Sequence, residues 1–169
     1  MEDSEKKIIL EKLKIEKQFQ SGADWFFWIA GLSLINSVIL LAGSEWGFII
    51  GLGITRIIDI IGLSIAEEVG IAGKIIALIF DIIAAGVFVL FGVFARKRYK
   101  WAFITGMILY ALDGLIFLLV QDLLSIGFHV FALFCIFSGF KALGKLSGIE
   151  EPEAVETQPA ATADQEITA

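Results

Sequence analysis

Residues 101–120 read WAFITGMILYALDGLIFLLV, twenty positions whose single charge is Asp113. A helix needs about 20 predominantly apolar residues to cross a bilayer, so this stretch predicts one complete span. Three more follow the same rule on either side of it: 25–43, 75–95 and 123–140. The composition agrees. Hydrophobic residues make up 57% of the 169-residue chain, charged residues 19%, and the mean hydropathy is +0.84. A soluble domain is nearer 45–50% apolar and about 25% charged. With 13 basic residues against 19 acidic, nucleic acid is excluded as a partner, and the bilayer itself is the first partner implied.

A fifth apolar run, 48–66, is interrupted by Thr55, Arg56 and Asp59. At 100° per residue, Ile50, Ile54, Ile57, Ile58, Ile61 and Ile65 share one broad face, and Thr55, Arg56, Asp59 and Glu67 gather opposite, which predicts an amphipathic helix. Counting Lys and Arg decides whether it spans. If both termini and the RKRYK segment at 96–100 are cytoplasmic, eleven basic residues lie inside, and only Arg56 and Lys74 lie outside. A fifth span would move RKRYK outside. Four spans with an outer amphipathic helix is therefore the reading, the helix lying along the interface or dipping into the bundle with its polar side inward. Trp25, Trp28, Tyr99 and Trp101 fall where an inner aromatic belt belongs, and Trp46 where an outer one does.

Residues 1–22 form a charged leader in which Glu and Lys alternate, expected to be a cytoplasmic helix. It makes a poor signal peptide because its charged region is long and the run after it is nearly a full span, so a retained signal anchor is expected over cleavage after Ser44. Residues 147–169 hold both prolines and six acids without Lys or Arg, and are expected to be a disordered tail. That tail accounts for the whole net charge of −6, so the acidity of the chain implies no electropositive partner. The fold predicted is all-α: an integral-membrane four-helix bundle over 23–146, with the outer helix, the leader helix and the tail added to it.

Polar groups inside spans are costly, about 2.5–3.5 kcal/mol for a charged residue on insertion scales, and so mark a candidate site. Here they are Asn36, Asp81, Asp113 and His129. A rise of about 1.5 Å per residue places all four roughly 8–12 Å below the outer boundary. Ala77, Ala84, Ala85, Phe88 and Gly92 share the face of Asp81, and Ala102, Gly106, Tyr110 and Phe117 that of Asp113. Ser125, Ala132 and Gly139 lie near His129, and Ser33 and Ser37 near Asn36. Small residues let membrane helices approach closely, so each polar stripe is also a packing stripe. The candidate cluster is Asn36, Asp81, Tyr110, Asp113 and His129, with Arg56 and Asp59 as charge partners if the outer helix folds over the bundle. Two carboxylates in low dielectric ionise together only beside a cation. Two uses fit such a layer: relaying protons or a cationic solute, or fixing helix register by mutual hydrogen bonding.

Enzyme signatures are missing. A single His gives no two-His zinc site, no H-E-x-x-H or G-x-S-x-G occurs, and Gly51-Leu52-Gly53 lacks the strand a phosphate loop requires. Cys135 stands alone, so no disulfide or thiol relay is available. No metal, cofactor or catalytic residue is expected.

The segments 25–37 (WFFWIAGLSLINS), 51–59 (GLGITRIID) and 101–128 (WAFITGMILYALDGLIFLLVQDLLSIGF) together resemble a group of small, uncharacterised prokaryotic multi-pass integral membrane proteins. The resemblance implies a multi-pass membrane protein in a prokaryotic plasma membrane and carries no activity with it. The expected function is a scaffold, assembly partner or accessory subunit, forming a homo-oligomer or joining a membrane protein partner. An oligomeric proton- or cation-coupled transporter using Asp81 and Asp113 is the alternative, and a membrane enzyme using Asp113, His129 and Tyr110 a third.

Overall fold

The computed structural model describes residues 2–43 and 51–150, with side chains at 5–43 and 51–149. Trp46, residues 48–50 of the predicted outer helix and the tail from residue 151 lie outside the described residues. The described chain is five α-helices without a strand. Four of them are long and apolar enough to cross a membrane: α1 (Glu2–Leu41), α3 (Ile71–Arg96), α4 (Lys100–Leu119) and α5 (Leu123–Glu150). The fifth, α2 (Gly53–Val69), is the segment between the first two.

Leader and first span are one helix. With 40 residues, α1 extends about 60 Å, twice the thickness of a bilayer core. No proline precedes position 152, so nothing in this stretch breaks a helix. Gly22 costs an isolated helix about 1 kcal/mol relative to Ala. Here it faces Gly139 of α5 so closely that a Cβ on Gly22 would sit 2.4 Å from the Gly139 Cα. The pair lets the two backbones cross in contact, which is how membrane helices gain dispersion energy where lipid removes the hydrophobic drive.

For the same reason α5 runs past the expected end of its span at 140 and past the boundary drawn at 147. Leu143 and Leu146 are buried in the same core as Ile15 and Phe19 of α1, and the Ser147 hydroxyl donates to the Leu143 carbonyl at 3.0 Å. The helix continues while it has α1 to lie against.

α1 neighbours α3 and α5, and α4 closes the ring between them. Phe19, Phe26, Phe91 and Phe103 interlock in the core, Phe26 meeting Phe91 and Phe103 at 6.1 Å between ring centroids. Directions alternate, so the start of α1, the end of α5 and the α3–α4 turn lie toward one end of the bundle. Asp24 accepts from Arg96 at 2.6 Å there, Glu16 from Arg98 at 3.0 Å, and Gln18 donates to Ser138 at 2.7 Å.

At the other end α2 and α3 form a tight hairpin through Gly70, whose φ of 69° suits glycine. A Cβ on Gly62 would lie 2.4 Å from the Cβ of Ala77, so the two helices touch at backbone distance. The polar side of α2 faces the bundle: Thr55 and Asp59 are fully buried, and Ile54, Ile57, Ile60, Ile61 and Ile65 are exposed. Of the two placements the periodicity allowed, this is the dipping one. Arg56 and Glu67, predicted on the polar side, are exposed instead.

Candidate functional site

The first turn of α2 sits inside the bundle. Leu52 is 1% exposed and its N–H donates to Ser33 Oγ of α1 at 2.8 Å, while that hydroxyl donates to the Ile29 carbonyl at 2.7 Å. The next two N–H groups, of Gly53 and Ile54, donate to Asp113 Oδ2 and Oδ1 of α4 at 2.7 and 2.9 Å. A helix leaves its first N–H groups unpaired, and burying them bare costs about 1–3 kcal/mol each. Asp113 meets two of them, with its charge at the positive end of the α2 dipole. Gly53 has to be small here, since a Cβ would sit 2.9 Å from the Phe117 ring and 3.1 Å from the Asp113 carbonyl.

His129 of α5 completes this group. Its Nε2 lies 3.1 Å from Asp113 Oδ2 and its Nδ1 2.8 Å from the Ser125 carbonyl. A carbonyl only accepts, so Nδ1 carries a hydrogen. The ring is stacked on Tyr110, 4.3 Å between centroids and 17° between planes, with Phe117 at 5.1 Å. Asp113 and His129 are only 8% and 3% exposed, so this is a water-poor latch between α2, α4 and α5.

Asp81 belongs to a second group. Its carboxyl lies beside that of Asp59, and the Ser37 hydroxyl of α1 adjoins both. All three residues are 0% exposed, and the two carboxyls and the hydroxyl interact with one another and find no hydrogen-bond partner outside the group. The layer predicted as one cluster is thus two, because α2 wedges between them: its first turn engages Asp113, and Asp59, nearly two turns later, engages Asp81.

The remaining predicted members sit apart from both bonding patterns. Asn36 is buried with its Oδ1 unpartnered, and Tyr110 is buried with its hydroxyl unpartnered, so it contributes a ring surface. Arg56, expected as a partner for the intramembrane carboxylates, lies 3.7 Å from Asp122 in the α4–α5 turn. Asp122 in turn caps α5, accepting from the Ser125 N–H at 3.2 Å and hydroxyl at 2.8 Å. Partial burial pushes the Asp122 carboxyl up, but the Ser125 bonds, Arg56 and the Leu124 N–H outweigh it and hold it below the usual range.

The backbone N–H groups of 53 and 54 were missed because a sequence shows side chains, and their partner is sixty positions away. The glycine at 53 was the one available signal. No group of three or more His, Cys, Asp or Glu gathers among the described residues. Comparison with family profiles, curated proteins and solved structures gives no significant match, so the site is read from its chemistry alone.

Proposed function

We propose that this protein is a membrane-anchored assembly partner: the bundle holds a helical stalk upright for another protein to grip. We place it in a prokaryotic plasma membrane with both termini cytoplasmic, on the strength of the Lys and Arg distribution and the resemblance described above. One observation carries the reading. Ile8, Ile9, Leu10 and Leu13 of α1 are 61%, 58%, 66% and 60% exposed. They lie beyond Glu16, which pairs with Arg98 in the α3–α4 turn, and so beyond the end of the spans. The helix is coaxial with a span, so this stretch points away from the bilayer and acyl chains do not cover it. Ile9, Leu10 and Leu13 share one side of the helix, and this apolar strip among Glu5, Lys6, Lys7, Glu11, Lys12 and Lys14 suits a second amphipathic helix, apolar in the middle and mixed in charge at its edges.

A photo-crosslinking residue in place of Leu13 tests this in native membranes. The expected result is one discrete protein adduct, lost when Ile9→Lys is added. Adducts no more specific than those from lipid-facing Ile104 would overturn the reading. A dimer of this chain as the adduct would identify the partner as a second copy.

A second reading, ion-coupled transport, is favoured by the adjoining carboxyls of Asp59 and Asp81, fully buried within the bundle. It keeps Asp81 from the sequence expectation and replaces Asp113, whose carboxylate is committed to α2, with Asp59.

A further inference from the structure

Beside the crossing of α1 and α5 lies a cleft of about 210 Å³, lined by Gln18 of α1 and by Phe134, Phe137, Ser138, Lys141 and Lys145 of α5. Its lining is sorted along the helix. Phe134 and Phe137 are on the side of the span, 70% and 47% exposed. Lys141 and Lys145 follow Phe137 by one turn and two, past Gly139, where α5 meets Gly22. Asp24, two residues from Gly22, pairs with Arg96 at the end of the spans, so the rings lie at membrane depth and the lysines at the surface. Lys141 folds back to join the two, its Nζ 5.4 Å from the centre of the Phe137 ring.

The floor of the cleft is polar. Gln18 Nε2 donates to Ser138 Oγ at 2.7 Å. A helical serine often bonds the carbonyl one turn back, as Ser33 does on Ile29 and Ser147 on Leu143. Ser138 accepts from the neighbouring helix instead, and its own hydrogen and the second amide hydrogen of Gln18 remain to be donated. No Asp or Glu is among the lining residues, and Glu16, the acid nearest Gln18 along α1, is held by Arg98.

We propose that this cleft binds one phospholipid of net negative charge, its phosphate among Lys141, Lys145, Ser138 and Gln18 and an acyl chain along Phe134 and Phe137. Two ammonium groups carried about 6 Å apart along one helix, with a hydroxyl and an amide between the helices, supply donors alone, which is what phosphate oxygens require. Basic pockets between membrane helices take anionic headgroups for this reason. The exposed rings directly below select a lipid over a soluble anion. A zwitterionic headgroup would bring its own cation against two lysines, with no carboxylate in the cleft to receive it.

Full-length protein in nanodiscs of phosphatidylcholine with a rising share of phosphatidylglycerol tests the site, native mass spectrometry counting the lipids retained on release. One phosphatidylglycerol, saturating as its share rises, is the expected result. Lys141→Gln and Lys145→Gln each raise the half-saturating share about fivefold, and Phe134→Ala raises it too. The side chains replaced are exposed, so the fold tolerates their loss. Lys97→Gln removes the same charge from the α3–α4 turn, where Lys97 lies over Phe94, and leaves the share unchanged. Equal retention of phosphatidylcholine, adducts that never saturate, or an equal loss in Lys97→Gln would overturn the proposal. So would displacement of the lipid by millimolar inorganic phosphate, which would make the cleft a site for a soluble anion.

Discussion

Asp113 and Asp122 each hold the start of a helix, one in the dry middle of the bundle and one in a turn. Their loss should differ accordingly. Asp113→Ala strands the N–H groups of Gly53 and Ile54 and leaves His129 Nε2 facing an apolar side chain, at about 1–3 kcal/mol per orphaned group. Asp122→Ala loses a helix cap worth about 1 kcal/mol. Unfolding of the purified protein by denaturant, with amide exchange at 53–54, checks this, and equal costs would refute the latch. The two also differ in response to acid. The Asp122 carboxyl is held below its ordinary value, so its stabilising effect is complete above the ordinary carboxyl value of 3.8 and disappears as the pH falls through the lower folded value. In the parent, that increment is lost in strong acid, and Asp122→Ala should flatten this part of the pH profile.

Among the elements, α2 shows how far a sequence can be read. The 3.6-residue period separated Thr55 and Asp59 from the isoleucines, because that separation is local geometry. Which side faces inward depends on whether polar partners wait there, and those partners, Ser33, Ser37, Asp81 and Asp113, come from three other helices. Periodicity likewise marked Ala77, Gly106 and Gly139 as packing positions. It could not show that Gly22 would meet Gly139, since that contact exists only once α1 and α5 have crossed. The crossing is testable. Cysteines at Gln18 and Ser138, whose side chains meet at 2.7 Å between Nε2 and Oγ, should be joined by a short bifunctional thiol crosslinker in a Cys135→Ala background. Gly139→Leu would push α1 and α5 apart and lower the yield. Equally efficient crosslinking in that variant would show that the close approach is unnecessary.

For the whole molecule, the Lys and Arg count predicts its orientation in the membrane. In the cysteine-free background, Ser64→Cys, exposed on α2, should react with an impermeant maleimide added outside intact cells. Lys97→Cys in the α3–α4 turn should react only after permeabilisation. The reverse pattern would invert the molecule and move the exposed leader residues to the other side.

The unbroken length of α1 has one more consequence. Leu13, where a partner would take hold, and Ser37, beside the two acids, are 24 positions apart on one straight shaft, about 36 Å. The shaft has no proline joint at which a twist could dissipate. A partner that turned the stalk about its axis would turn with it the stretch of α1 that carries Ser37, on the far side of the span.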